Sequence, residues 1–389
     1  MKARYFTMQS HVHYVGVNDH EIDLFEGLYP VPHGVSYNSY VLMDEKIAVF
    51  DTVDAHFGEA WLANLRTALA GRTPDYLIVH HMEPDHSAAI GLFMQAYPTA
   101  TVVSSGKAFP MMKAFHGTDY PDRRRIVKEG DTLCLGQHTL RFVAAPMVHW
   151  PEVFVTYDET AKALFSADGF GKFGALDHAE DWADEARRYY IGIVGKYGAP
   201  VQALLKKAAT LDIRTVYPLH GPVLTGEKLS RAIGLYDTWS SYREEEHGVV
   251  IAHASVYGNT RAAAENLADS LRAKGETVVV YDLNRCDVAQ AVADAFRYDR
   301  LVLASITYNA DVFPPMKTFL SWLTHRGYQG RTVGLIENGS WASMAAKVMR
   351  GLLEGSKDIT FAEPAVRVQS ALDENSLAQL EALACALHD

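Results

Sequence analysis

The sequence predicts a two-domain α/β protein whose second domain is a doubly wound parallel sheet. Three observations lead to this fold class. The chain has 389 residues, which is more than one ordinary hydrophobic core holds. Its first part mixes strand-like runs with helical stretches. After residue 248, strand-like and helical runs alternate strictly with short connections, which is typical of a parallel sheet covered by helices on both faces.

Short apolar runs bounded by turn residues predict the strands of the first domain. Before residue 106 these runs are NSYVLM, KIAVFD, YLIVH and TATVVSS, and FGEAWLANLRTALAG is a helical stretch among them. Three further strand-like runs are LRFVAAP, EVFVTYD and ALFSADG. We therefore predict a mixed α/β domain over residues 1–247, with polar side chains presented where its strands end.

A helical segment, GEKLSRAIGLYDTWSSYREEEH, leads to residue 248, where we place the domain boundary. From there four strand-like runs each precede a helical run. The strand-like runs are VVIAHASVY, TVVVYDL, LVLASITYN and TVGLIENGS. We predict the second domain over residues 248–389.

Composition excludes several classes of function. A formal net charge of -11 disfavours a general nucleic-acid binder or a binder of anionic membranes, since both need a basic face. The start of the chain lacks the apolar core of a signal peptide, and no apolar stretch is long enough to span a bilayer, so we expect a cytoplasmic protein. The 3 cysteines form no C-x-x-C motif, which argues against a disulfide framework, a Cys-rich zinc site and an iron–sulfur or rubredoxin-type centre.

The stretch HHMEPDH, residues 80–86, predicts a metal site. It places His81, Glu83, Asp85 and His86 directly after a strand-like run, whereas His80 is explained as a satisfied polar group. Three more ligand-type residues follow other apolar runs: His149, Asp168 and His220. Four imidazoles and three carboxylates are too many for one zinc ion, and they suit two metals that share a bridging carboxylate.

This order of residues resembles the metallo-β-lactamase superfamily, whose hydrolases carry H-x-H-x-D-H in the first loop. Glu83 stands where that motif has its second histidine, which enriches the site in anionic oxygen donors and favours iron over zinc. With this glutamate the chain resembles the flavodiiron proteins over nearly its whole length, including YNSYVL, SADGFGKFGAL and VQALLKKA. The resemblance implies a metallo-β-lactamase-like αββα sandwich followed by a flavodoxin-like domain.

The resemblance also implies roles for individual residues. It assigns His81, Glu83 and His149 to one iron, assigns Asp85, His86 and His220 to the other, and makes Asp168 the bridge. In some family members the histidine that matches His86 is turned away from the metal. Tyr197 is either a phenol near the substrate pocket or a packing tyrosine. The other histidines, His33 among them, are explained as solvated or packed side chains, and His178 could lie behind the ligands.

The loop SVYGNT, residues 255–260, predicts a phosphate site because it opens a helix after a strand. It is not G-x-G-x-x-G, so a monophosphate such as that of FMN fits better than a dinucleotide, although a plain helix cap is an alternative. Tyr308 and Trp341, in two later loops at strand ends, offer flat faces for an isoalloxazine ring. The resemblance to the flavodiiron proteins implies that the FMN contacts are Ser255, Val256, Tyr257, Gly258, Asn259, Thr260, Thr307, Tyr308, Asn309, Ala310, Asp311, Asn338, Gly339, Ser340, Trp341 and Ala342.

Together these sites predict a reductase. The resemblance implies reduction of O2 to water, of NO to N2O, or of both, with electrons relayed through FMN from an external redox protein such as rubredoxin. It also implies a head-to-tail homodimer or a dimer of dimers. One alternative is a dizinc metallo-β-lactamase-like hydrolase with an appended flavodoxin domain, but hydrolysis needs no flavin. The other is an electron-transfer flavoprotein whose metal site is structural.

Overall fold

The computed structural model describes residues 11–388, which divide into two compact units. The first comprises the residues up to Tyr190 together with Tyr197–Asp237, and the second comprises Ile191–Lys196 and the residues from Thr238 onward. Residues 1–10, part of the start that we predict to lack a signal peptide, lie outside the described residues. Within residues 11–388 we find no helix with the length and apolar character needed to cross a membrane.

The first unit is built mainly from short strands. In chain order they are β1 (Val12–Tyr14), β2 (Val17–Asp19), β3 (Leu24–Phe25), β4 (Tyr29–Pro30), β5 (Val35–Tyr37), β6 (Tyr40–Leu42), β7 (Ala48–Phe50), β8 (Tyr76–Ile78), β9 (Thr101–Ser105), β10 (Arg124–Val127), β11 (Thr132–Cys134), β12 (Thr139–Ala144), β13 (Phe154–Asp158), β14 (Ala163–Phe165), β15 (Thr215–Tyr217) and β16 (Leu224–Thr225). The helices are α1 (Gly58–Leu69), α2 (Pro84–Ser87), α3 (Ile90–Ala96), α4 (Ala108–His116), α5 (Trp182–Tyr189), α6 (Gly198–Ala208) and α7 (Gly226–Ser240), and the last of these continues into the second unit.

Twelve of these strands form two six-stranded sheets that pack face to face, and the other four form the two-stranded sheets β2-β5 and β3-β4. One six-stranded sheet has the order β1-β6-β7-β8-β9-β10 and the other β11-β12-β13-β14-β15-β16. Buried side chains of both sheets share one core, in which the rings of Phe50 and Phe165 stack with centroids 3.7 Å apart. Helix α1 buries Trp61, Leu65 and Leu69, a spacing that gives a helix one apolar face. The predicted αββα sandwich is confirmed.

The predicted metal ligands follow strand ends in this sandwich. His81 comes after β8, His149 lies between β12 and β13, Asp168 comes after β14 and His220 after β15. Because β14 and β15 are parallel neighbours, their carboxyl ends bring Asp168 and His220 to the same edge.

The second unit is a single, mainly parallel sheet with helices. Its elements are β17 (Glu246–Ala254), α8 (Asn259–Ala273), β18 (Val278–Asp282), α9 (Val288–Arg297), β19 (Tyr298–Tyr308), β20 (Asp311–Val312), α10 (Pro314–His325), β21 (Thr332–Asn338), α11 (Ala345–Leu352), β22 (Thr360–Phe361), β23 (Val366–Val368) and α12 (Glu374–His388). Strand pairing runs β18-β17-β19-β21-β22, with β23 also paired to β21, and all these pairs are parallel.

This strand order is the doubly wound order 2-1-3-4-5, which confirms the predicted flavodoxin-like fold. Helix α8 buries Ala264, Leu267 and Leu271, and α12 buries Leu380 and Leu383 in the same core cluster. The order of the strands in the sheet reverses between β17 and β19. A ligand crevice is expected at the carboxyl ends of those strands, because ligands bind where the strand order reverses.

Candidate metal centre and flavin cavity

The opening motif changes conformation at its proline. Glu83 is extended, with φ -60° and ψ 138°, and Pro84 is the first residue of α2. Proline favours this position because its fixed φ suits a helix and its missing N–H is not needed there. His81 and Glu83 therefore lie on an extended segment, whereas Asp85 and His86 belong to the first helical turn.

One set of predicted ligands converges around His81. Its Nε2 lies 3.1 Å from Oε2 of Glu83 and 3.3 Å from Nε2 of His149. The same Glu83 oxygen lies 3.1 Å from Nε2 of His149. Three ligand-type atoms from two chain segments thus face a common point.

A second set converges around His86. Its Nε2 lies 3.0 Å from Nε2 of His220 and 3.2 Å from Oδ2 of Asp85, and that carboxylate oxygen lies 3.3 Å from Nε2 of His220. The His86 side chain therefore faces the cluster and is not turned away from it.

Asp168 lies between the two sets. Its Oδ2 is 3.3 Å from Nε2 of His81 and 3.2 Å from Nε2 of His149. Its Oδ1 is 3.1 Å from Nε2 of His86 and 3.7 Å from Nε2 of His220. One oxygen for each set is the arrangement of a bridging carboxylate.

The unpaired polar atoms of this cluster fit two bound cations. Both carboxylate oxygens of Asp85 and both of Asp168 are buried without a hydrogen bond to any described residue. Leaving such atoms unsatisfied costs about 1–3 kcal/mol each, and more for charged groups. Cations would satisfy them, and the anionic oxygens with imidazoles form a donor set suited to iron.

The charges of the cluster also favour bound cations. Burial acts to raise the pKa of Asp168, but His86, His149 and His81 outweigh it and hold that pKa well below its ordinary value. Burial lowers the pKa of His149, yet Asp168 and Glu83 raise it to about 9. The Asp168 carboxylate is therefore ionised and stabilises positive charge beside it.

Residues behind the ligands fix which imidazole nitrogen faces the cluster. Nδ1 of His81 lies 2.8 Å from the carboxylate of Glu152, and Nδ1 of His220 lies 2.7 Å from the carbonyl oxygen of Ser36. Both partners accept only, so both Nδ1 atoms donate. When either ring is neutral its proton is then on Nδ1, and its Nε2 lone pair is directed at the cluster, as metal ligation requires.

His80 is separate from this cluster. Its Nδ1 lies 2.5 Å from Oδ2 of Asp51 and its Nε2 lies 2.8 Å from Oγ1 of Thr156. With the side chain 1% exposed, His80 is a satisfied core histidine, as the sequence indicates.

Three residues at the site were missed by sequence reasoning: Glu152, Ser36 and Glu26. Glu152 stands in the same run, HWPE, as His149, and a carboxylate so near a predicted ligand was the available signal. Ser36 acts through its backbone, which no pattern reveals. Glu26 is hydrogen-bonded to Glu83, and burial of its carboxyl group, together with the charge of Glu83, raises its pKa to about 7.

Tyrosines also border the cluster. The rings of Tyr37 and Tyr189 lie 6.1 and 5.4 Å from that of His220. Tyr197, our sequence-based candidate, is half-buried at the end of the short 3-10 helix Gly195–Tyr197, and a role near the substrate stays a prediction for it.

A cavity of about 580 Å³ lies at the carboxyl ends of β17, β19 and β21 in the second unit. Its volume is in the range of pockets that enclose a cofactor. Of the predicted FMN contacts it is lined by Ser255, Val256, Tyr257, Asn259, Thr260, Thr307, Tyr308, Asn309, Ala310, Asn338, Gly339, Ser340, Trp341 and Ala342. Ile306 and Ser370 line it too and were not predicted.

Two predicted contacts lie beside this cavity. Gly258 caps α8 with φ 95°, a left-handed conformation that favours glycine, and its N–H donates to Oγ of Ser255 over 3.1 Å. Asp311 is paired with Lys317.

The lining offers features for both ends of a flavin nucleotide. Oγ1 of Thr260, in the first turn of α8, is buried and has no hydrogen-bond partner among residues 11–388. Tyr308 and Trp341 are 43% and 82% exposed, an unusual cost for large rings that a flat ligand would reduce. The hydroxyl at a helix N-terminus fits a phosphate, and the rings fit an isoalloxazine.

Comparison with known families divides the chain as the fold does. Residues 35–221 match the ODP family beta lactamase, and residues 251–375 match flavodoxin. A nitric oxide reductase of Moorella thermoacetica is 30% identical over 369 residues, covering 92% of each chain. An anaerobic nitric oxide reductase flavorubredoxin of Vibrio vulnificus is 27% identical over 349 residues, which is 86% of this chain and 70% of the relative.

Solved structures give the same picture. The rubredoxin oxygen:oxidoreductase from Desulfovibrio gigas superposes with a TM-score of 0.92 at 25% identity, covering 98% of this chain and 97% of that one. The flavodiiron protein from Giardia intestinalis gives a TM-score of 0.90 at 27% identity, covering 98% and 95%. The likeness therefore spans both units.

Proposed function

The chain belongs to the flavodiiron proteins, and from this premise we propose that it reduces O2 to water, NO to N2O, or both. FMN and two iron ions are the cofactors, and a small redox protein such as rubredoxin supplies the electrons. The proposal rests on the position of Asp168, whose two carboxylate oxygens each face a different ligand set. The same chain also has a flavodoxin-like unit.

The ligand assignment is as follows. His81, Glu83 and His149 hold one iron, Asp85, His86 and His220 hold the other, and Asp168 bridges them. The sixteen predicted contacts in the three flavin loops hold FMN, with the phosphate at Ser255–Thr260 and the ring between Tyr308 and Trp341. When bound, FMN and the two irons supply the electrons that the reduction of O2 or NO consumes.

The protein's own residues prepare this chemistry by fixing protons and excluding water. Glu152 and the Ser36 carbonyl favour a proton on Nδ1 of His81 and His220, so that Nε2 is the atom that would ligate a metal when the rings are neutral. His81, His86 and His220 have side chains with no exposed surface. A buried cluster of this kind limits access to small molecules, and diatomic gases are the smallest candidates.

The dizinc hydrolase is not favoured. Glu83 supplies a carboxylate where the hydrolases of this superfamily have an imidazole, and three relatives that match 86%, 92% and 98% of the chain are oxidoreductases by name. A flavin would also have no part in hydrolysis.

The proposal also covers the domain bounds, the oligomeric state and the cellular location of the protein. We assign residues 1–247 to the diiron domain and residues 248–389 to the FMN domain. We propose a head-to-tail homodimer or a dimer of dimers, in which the FMN of one subunit serves the irons of another. We place the protein in the cytoplasm.

The test uses protein loaded with iron and FMN, reduced anaerobically until the flavin absorbance bleaches. Consumption of O2 and of NO is then followed separately by electrode, for wild type and for Asp168→Asn. Asp212→Asn is the matched control, because Asp212 pairs with Arg214 on the surface. We expect turnover in wild type and the control, and a loss of bound iron and turnover in Asp168→Asn. No turnover of either gas by protein with full iron and FMN would reject the proposal.

A further inference from the structure

We propose that His33, His178 and Glu180 form a third metal site, which binds a divalent transition-metal cation such as Zn²⁺. Each residue offers one ligand-type atom, and these three atoms lie within 4.8 Å of one another. All three residues belong to the first unit and none is among the seven ligands of the proposed diiron centre. The site does not rest on the proposed reductase function.

The side chains are arranged so that their donor atoms remain available. Nε2 of His178 lies 3.7 Å from Oε2 of Glu180, while the other oxygen of Glu180 contacts Nζ of Lys172. Lys172 thereby holds the glutamate in place and leaves Oε2 on the imidazole side. Ligand atoms of a tetrahedral zinc site, with bonds of roughly 2.0–2.1 Å, are about 3.4 Å apart, close to the separation found.

The two imidazoles are already in contact. The rings of His33 and His178 stack with centroids 3.7 Å apart and an interplanar angle of 9°. To share one cation the rings must turn about their Cβ–Cγ bonds. His33 is exposed and the His178 side chain is 38% exposed, so these rotations are not opposed by core packing.

The surroundings add further donors. A surface cavity of about 360 Å³ is lined by His20, Pro32, His33, Gly34, Asp177 and His178. On its rim Nε2 of His20 lies 3.2 Å from Oδ2 of Asp177. Three imidazoles and two carboxylates without a thiol form a donor set typical of zinc and its neighbours, and not of calcium or magnesium, which prefer oxygen alone.

The position of the site suggests what a cation would do there. The N–H of Ala175 donates to the carbonyl of His33 over 2.8 Å, and the N–H of Gly174 donates to that of Gly34 over 3.0 Å. The loop that follows Asp168 is thus joined to the segment that leads into β5. A cation held by His33 and His178 would cross-link these two segments at the side-chain level, and would stabilise the folded chain by binding it in preference to the unfolded one.

The experiment measures zinc directly. Iron- and FMN-loaded protein is dialysed against Zn²⁺, and zinc and iron per chain are determined by elemental analysis. We expect about one zinc ion per chain beyond any bound at the diiron centre, and its loss in the double variant His33→Asn/His178→Asn with iron and FMN unchanged. His56→Asn is the matched control, since His56 is an exposed histidine bonded to a single aspartate.

Two further readouts separate a lost site from a misfolded variant. Zn²⁺ should raise the melting temperature of wild type and of His56→Asn but not that of the double variant. Zinc-edge X-ray absorption of the wild type should show imidazole ligands, and Glu180→Gln should weaken zinc binding by about 10-fold or more. Equal zinc content in wild type and the double variant, or no additional zinc in wild type at about 100 µM Zn²⁺, would overturn the proposal.

Discussion

Nδ1 of His81 donates a hydrogen bond to Oε1 of Glu152 over 2.8 Å, and neither side chain has any exposed surface. Glu152 Oε1 also accepts from the N–H of Met82 over 3.0 Å, so the carboxylate orients both the ring and the backbone of the ligand segment. We expect this pair to support iron binding, because partners behind a ligand govern its orientation and basicity.

Glu152→Ala should lower the affinity for iron by roughly 10- to 100-fold, because the ring of His81 loses the acceptor that fixes its proton on Nδ1. Glu152→Gln keeps an acceptor oxygen and should lose less. The measurement is iron per chain after competition with a chelator, with FMN content as the internal control. Iron retention by Glu152→Ala equal to that of wild type would show that the hydrogen bond does not support the site.

Glu83→His should shift the metal preference from iron towards zinc. The change replaces an anionic oxygen by a neutral imidazole nitrogen and recreates the order H-x-H-x-D-H of the hydrolases. We expect a higher ratio of zinc to iron in protein produced in the same medium, and slower gas turnover. The control is Glu59→Gln, on the first turn of α1. An unchanged metal ratio would mean that Glu83 does not select the metal.

Thr260→Val should affect the apoprotein and the FMN complex in opposite directions. The buried Oγ1 of Thr260 has no partner among the described residues, so its removal should leave the melting temperature of the apoprotein unchanged or higher. FMN affinity should fall by roughly 10- to 100-fold, because a hydrogen bond to a charged group contributes about 1.5–3 kcal/mol.

Thr324→Val serves as the control for this pair of measurements. Oγ1 of Thr324 donates within its own helix, to the carbonyl of Leu320 over 3.0 Å, and lies in α10. FMN titration monitored by flavin fluorescence gives the affinity. Equal affinities of Thr260→Val and wild type would remove this hydroxyl from the phosphate site.

The seven metal-type residues could be predicted because each stands in a short motif directly after an apolar run. What could not be predicted is the contact between segments far apart in the chain. His81 meets Glu152, 71 residues away, and His220 meets Ser36, 184 residues away. Such pairs are decided by strand order, and by where β15 lies beside β14, which local patterns do not report.

The residues that line the flavin cavity also include some that the sequence predicts and some that only the fold brings there. Its three loops follow β17, β19 and β21 and were predictable from the strict alternation of strands and helices. Ser370 joins the cavity only because β23 pairs with β21, placing its N–H 3.1 Å from Oδ1 of Asn338. Sequence reasoning explained His33 as a solvated or packed residue and considered His178 as a residue behind the ligands, and only folding reveals that their rings are stacked.

We expect the stability of the second unit to depend on pH through Glu276. Oε2 of Glu276 lies 2.6 Å from Nη2 of Arg300, on β19, and Oε1 lies 2.8 Å from Nδ1 of His388, at the end of α12. The hydrogen bond from Arg300, followed by that from His388, holds the pKa of Glu276 below its ordinary value. The folded protein therefore binds this proton less readily than the unfolded chain does.

It follows that this carboxylate stabilises the fold fully above its unfolded pKa of about 4.3, and that the effect is lost as the pH falls through the lower folded value. Glu276→Gln should cost about 1 kcal/mol at pH 7, or roughly 2–4 °C in melting temperature, and the difference from wild type should shrink below about pH 4. Asp269→Asn, which breaks an exposed pair with Arg272, should change little at either pH. A difference between Glu276→Gln and wild type that stays constant with pH would mean that packing, and not the charge of Glu276, accounts for it.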